Sequence, residues 1–197
     1  MRIDMAVEFC GNTLLAGQHG RATRILWVIP SFYPATYWGG PIYSTKIICD
    51  ELAKHGKLRL NVLTTDSAGP EIGQSVNPAG LVHPYHVRYA RRWFGHSIAP
   101  GLVIGLLKEI PRSDVVHLTS VYSFPTLPTL ILARLFGKPV IWSPRGELLA
   151  TNEWEKTRNR SLKKLYERFV NIIAPKDLLF HFTSEIEASG STARISG

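Results

Sequence analysis

Apolar residues fall into short continuous runs, separated by stretches where they recur at helical spacing. Ile25–Ile29 (ILWVI) is apolar throughout, the mark of a strand covered on both faces, and Pro30 predicts its end. Strands are also predicted over Leu58–Leu63, Val115–Leu118, Pro139–Trp142 and Leu178–Phe182. A further strand over Val82–Tyr89 contains Pro84, which assigns it to a sheet edge. Between them, Ile42, Thr45, Ile48, Cys49 and Leu52 repeat as one helix face, opened by Pro41 and stopped by Gly56. Further helices are predicted over Ser97–Ile110, Leu127–Phe136 and Glu153–Ile173, and Ser67–Gly80 reads as a loop. Met1–Thr23 has no periodicity and reads as an extension ahead of a domain over 24–188, with 189–197 as a truncated tail.

Strands alternating with helices at this spacing predict an α/β fold, a Rossmann-like doubly wound parallel sheet of about six strands. In such sheets ligands bind beyond the carboxyl ends of the strands, where strand order reverses. That rule selects Ser31–Gly40, Thr64–Ser67, Thr119–Ser123, Ser143–Glu147 and Thr183–Glu187.

Composition narrows the class. The 197 residues suit one domain, and 45% hydrophobic content supplies a sizeable core. The longest apolar run, Ile98–Leu107, is too short for a membrane span and holds Pro100, Gly101 and Gly105, so it reads as a buried or interfacial helix. Cys10 and Cys49 lack metal-ligand spacing, no signal peptide is visible, and the chain reads as a cytoplasmic protein. Lys and Arg number 23 against 15 Asp and Glu, a net charge of +8. Glu153–Lys176 holds seven basic residues against three acidic ones, as a solvated helix face or a charged docking face. Arg91, Arg92, Trp93 and Phe94 join charge to aromatics, which suits an anionic membrane surface or a phosphate-bearing substrate. No nucleic-acid motif accompanies either segment.

Four segments carry candidate chemistry. Gly39 and Gly40 before a helix let backbone approach a ligand and aim amides at an anion, while Tyr37 and Trp38 can stack on a sugar ring or pack. The absence of G-x-G-x-x-G argues against a nicotinamide or flavin cofactor. Arg145 suits phosphate or carboxylate and stands beside Gly146 and Glu147, the alternative being a surface Arg145–Glu147 pair. His117, with Thr119, could bind a hydroxyl or serve as a satisfied core residue. Ser184–Glu187 has capping-box form, with Glu185 as a lesser ligand candidate. His83 and His86 have poor metal geometry, and no metal site is expected.

Five blocks, PSFYPATYWGGPIYSTKIICDELAKHG, LNVLTTD, DVVHLTSVYSFPTLPTLILARLFGKP, VIWSPRGELL and FHFTSEIEA, occur in one order. Together, over Arg24–Ala188, they resemble the N-terminal domain of family-four glycosyltransferases, retaining enzymes with two Rossmann-like halves (GT-B fold). The resemblance is to subgroups that build bacterial surface polysaccharides. It implies an acceptor-binding half whose loop Tyr37–Pro41 and segment Ser143–Glu147 face the interdomain cleft, with a glycan or lipid-linked acceptor. The donor would be a nucleotide sugar, held by a C-terminal half or a separate chain. Thr119 stands where many relatives carry a second His. The resemblance also implies that 1–197 omits the donor pocket and the paired-Glu motif, with Ser189–Gly197 as a truncation or frameshift scar. A non-catalytic module that recruits a donor-binding partner is the alternative.

Overall fold

The computed structural model describes residues 21–149 and 159–195. The extension over 1–20, Cys10, and the start of the predicted basic helix with Lys156 and Arg158 lie outside the described residues. Six strands form one sheet: β1 (Thr23–Ser31), β2 (Leu58–Thr65), β3 (His86–Ala90), β4 (Val115–Thr119), β5 (Val140–Ser143) and β6 (Leu178–Phe180). Their order is β3-β2-β1-β4-β5-β6, with every pair parallel. The helices are α1 (Gly40–Lys54), α2 (Pro100–Glu109), α3 (Thr126–Leu135), α4 (Arg160–Ile173) and α5 (Glu185–Ile195). This is the Rossmann-like α/β sheet that the apolar runs predict.

Successive residues of a strand point to opposite faces, so each apolar run feeds two cores. Leu26 and Val28 of β1, Val116 and Leu118 of β4, Val140 and Trp142 of β5, and Phe180 of β6 pack with α2, α3 and α4. On the other face Trp27 and Ile29 of β1 join Leu60 and Val62 of β2 and Cys49 of α1. Gly105 lets α2 approach β2 closely, since a Cβ there would lie 2.9 Å from a Leu63 methyl.

Several boundaries differ from the sequence expectation. β1 continues through Pro30 to Ser31, because the register with β2 shifts between Val28 and Ser31 and needs no donor from Pro30. β3 is an edge strand, as Pro84 predicts, but begins only at His86, with Val82 fully in solvent. α2 starts at Pro100 because Ile98 is held in a bridge with Phe94. α5 crosses the boundary placed at Ala188 and runs through the segment read as a tail.

Candidate functional site

The chain winds outward from β1 to β3, then crosses back to β4, so strand order reverses between β1 and β4. Beyond that point Thr36–Trp38 forms a single 3-10 turn, and Gly39 leads into α1 with φ +67° and ψ −137°. A side chain at Gly39 would meet nothing within 4 Å, so this glycine answers a backbone requirement and not a crowded one. Pro41 sits in the first turn of α1, where its missing N–H costs no helix bond. Tyr37 is exposed, and Trp38 is half-buried with its indole edge against Tyr37 and His96.

Arg145 reaches this helix from the end of β5. Its own φ is +56°, and its guanidinium donates long hydrogen bonds to Ser44 Oγ (3.3 Å) and Thr45 Oγ1 (3.4 Å) on α1. Among the described residues no carboxylate forms an ion pair with it, and its Nε is buried without a partner. Burial lowers its pKa from the ordinary value, opposed by the charge of Glu187. The surface Arg145–Glu147 pair, the alternative to a ligand-binding role, does not form.

His117 is buried and stacks on Trp27 with centroids 3.7 Å apart; His181, just past β6, meets it edge-on at 5.6 Å. Burial holds the His117 pKa well below its usual value, helped by the charges of His181 and Arg145; His181 is lowered for the same reason, burial first. Both Nδ1 atoms are buried without partners, as are the hydroxyls of Ser31 and Ser143 at the ends of β1 and β5. A neutral imidazole pair, two free hydroxyls and a loosely held cation are suited to binding a polar ligand with an anionic or hydroxyl-rich group. His181 was not among the sequence candidates; its signal is the polar break in Phe180-His181-Phe182 at a strand end.

Other candidates turn out to be braces. Glu147 accepts hydrogen bonds from Ser120 Oγ (2.8 Å), Val121 N (2.6 Å) and Tyr122 N (3.0 Å), so its carboxylate is spent on the loop after β4. Thr119 accepts from the Trp27 indole at 3.0 Å and is buried. Ser184 caps α5 by accepting from Glu187 N (3.1 Å), as the capping box predicts. The Glu187 carboxylate, however, takes Thr183 N (2.8 Å) and Gly146 N (2.6 Å), tying α5 to the Arg145 turn. Glu185 is exposed on the first turn of α5.

The membrane expectation for Arg92 is overturned. Arg92 is buried and donates to Ser67 Oγ (3.0 Å) and to the carbonyls of Gly69 (2.7 Å), Gln74 (2.9 Å) and Glu71. Its neighbours Arg91, Trp93 and Phe94 are exposed on the turn that it anchors. A guanidinium with this many carbonyl acceptors organises the loop over 67–74 and is withheld from any external surface.

Among the described residues no three His, Cys, Asp or Glu side chains converge as a metal site, and no helix is long and apolar enough to cross a membrane. No protein-family model and no curated protein matches the chain. Two solved structures of S. aureus homoserine dehydrogenase, at pH 6.0 and pH 8.5, are similar at TM-scores of 0.40 and 0.39, with 13% and 11% identity. The matches cover 84% and 82% of this chain and 33% of each dehydrogenase chain, so the chain spans about a third of their length.

Proposed function

We propose that the chain is the acceptor-binding half of a retaining glycosyltransferase of the GT-B type. In this reading a sugar passes from a nucleotide sugar to a glycan or lipid-linked acceptor, in the manner of surface polysaccharide synthesis. The observation that carries it is Arg145, a half-buried cation that forms no ion pair among the described residues. It is poised over the first turns of α1, beside the unpartnered polar atoms of His117 and His181. Arg145 and the Gly39–Gly40 amides would hold phosphate or hydroxyl groups, and Tyr37 and Trp38 would stack on a pyranose ring. The neutral imidazoles would exchange hydrogen bonds with acceptor hydroxyls. The donor half, in the same protein or a separate chain, would stabilise the departing diphosphate. A lipid-linked acceptor would set this work at a membrane surface, with Arg91, Trp93 and Phe94 as one contact.

The test is a titration with free and lipid-linked oligosaccharides, followed through the amide resonances of Gly39, Gly40 and Gly146 and the Trp38 indole. Shifts with glycans and none with nucleotide sugars support the reading, and unshifted resonances with every glycan end it. Adding a donor-binding half in trans then separates the half-enzyme, which gains turnover, from a non-catalytic partner module, which does not.

A further inference from the structure

We propose that α4, and not the Trp93–Phe94 turn, is the principal docking surface of this chain, and that its partner is an anionic bilayer. Leu162, Leu165, Phe169 and Ile172 are 64%, 63%, 48% and 71% exposed. At 3.6 residues per turn they fall within an arc of about 80° and form one stripe along a helix about 21 Å long. The stripe adjoins the face that joins the core, where Val170 is buried with Tyr166 and Ile173 packed beside it. A surface helix ordinarily turns its apolar arc inward, but part of the wide apolar arc of α4 is left facing solvent.

Charge decides what can cover it. Arg168 and Lys164 are exposed on the side of the stripe away from the core, about 40° and 80° beyond Ile172. The one acidic residue of α4, Glu167, is turned away from it, bonded to Tyr122 and paired with Arg194. A second copy of the chain would bring Lys164 and Arg168 against their own like, which disfavours self-association. An anionic surface instead satisfies both, each worth about 1 kcal/mol near charged lipid. The neighbouring helix adds apolar surface of its own: Arg134 of α3 donates to the Ile172 carbonyl, and Ile131 and Leu135 of α3 are exposed. Two adjacent helices with outward apolar side chains suit a plane better than they suit a single partner helix. An in-plane helix of this kind buries its apolar arc at the level of the lipid headgroups.

The docking surface is independent of the glycan reading, because vesicle binding needs no acceptor. The experiment is flotation of the 197-residue chain with phosphatidylcholine vesicles and with vesicles containing phosphatidylglycerol, at low and high salt. The expected result is binding only to the anionic vesicles, weakened by salt, and reduced about tenfold or more by Leu165→Glu with Phe169→Glu and by Lys164→Gln with Arg168→Gln. All four positions are exposed, so thermal unfolding should match the parent. Trp93→Ala with Phe94→Ala should retain binding within about twofold. Binding that survives the α4 changes, or that is lost through the Trp93–Phe94 change alone, overturns the proposal. So does equal binding to neutral vesicles. A concentration-dependent dimer abolished by Leu165→Glu, without vesicle binding, overturns it in favour of self-association.

Discussion

The imidazole of His117 lies against the indole of Trp27, centroids 3.7 Å apart and planes 26° apart, on the sheet face opposite Val116 and Leu118. A charged imidazolium there would lose its hydration and face the Arg145 charge, so the folded protein binds this proton less readily than the unfolded chain. The sign follows. Stability from this group is complete above about pH 6.5, the unfolded value, and is lost as pH falls below it. The slope is about 1.4 kcal/mol per pH unit for one such group, and His181 adds in the same direction. Denaturant titrations between about pH 7 and pH 4.5 should show this loss, and His117→Phe should flatten it. An unchanged slope in the variant would assign the acid sensitivity elsewhere.

Arg92 and Arg91 are adjacent but should behave as different classes of residue. Arg92→Ala strands the buried Gly69 carbonyl and Ser67 hydroxyl and several part-buried carbonyls, and should cost about 3 kcal/mol, whereas Arg91→Ala should stay within about 0.5 kcal/mol. Chemical denaturation of the two variants measures both. A small cost at Arg92 would mean that the loop over 67–74 holds its shape without it.

Gly39 and Gly40 should also part company. With φ +67° and ψ −137°, Gly39 occupies backbone space that side chains rarely enter, so Gly39→Ala should cost about 1–3 kcal/mol despite the open space around it. Gly40→Ala, at the first residue of the helix and equally uncrowded, should cost less than Gly39→Ala and stay within about 1 kcal/mol, the remaining cost coming from a Cβ ahead of Pro41. Melting temperatures give the comparison directly.

Arg145→Ala should lose less than about 1 kcal/mol of stability, because its two side-chain hydrogen bonds are long and no ion pair is broken. Glycan-dependent resonance shifts should disappear in the same variant. A large stability loss with binding intact would return Arg145 to a structural role.

Glu147→Gln tests the opposite assignment. Its carboxylate serves three donors on the β4 loop, and the amide leaves at least one of them mismatched. The expected cost is about 1–3 kcal/mol, with glycan binding altered only through the loop. Calorimetric unfolding alongside a glycan titration separates the two effects.

Most elements were legible because the interior strands are rich in apolar residues, whereas β3 begins later than its sequence suggests and α5, which has no clear apolar face, reads as a capping signal followed by a tail. What sequence could not show is which polar residues those elements would consume. Arg91 and Arg92 look alike in a string, and only the return of the loop over 67–74 makes one of them an internal scaffold. Glu147 reads from sequence as a site residue or, alternatively, as a surface partner for Arg145, but the tight turn at Gly146 (φ +85°) sends the two side chains to different elements and Glu147 braces the β4 loop. Ser184 caps α5 as its sequence suggests, because that half of a capping box is a local device, but the Glu187 carboxylate goes to Thr183 N and Gly146 N. His181 was missed because its meaning comes from β4, across β5 from its own strand.

The two-sided character of the strands has a consequence for how the chain finds its pairing. A strand apolar on both faces can slide by one residue and still bury oily surface, so hydrophobicity alone specifies its alignment weakly. Here one step of β4 would push His117 and Thr119 into the aliphatic layer that holds Val116 and Leu118, and would carry those aliphatics into the polar crevice. The mismatch penalises the sliding and leaves one alignment strongly favoured. The polar groups of the crevice therefore act as a key for strand alignment before any ligand arrives, and substitutions that make the crevice more oily should broaden the set of alignments the chain samples while folding.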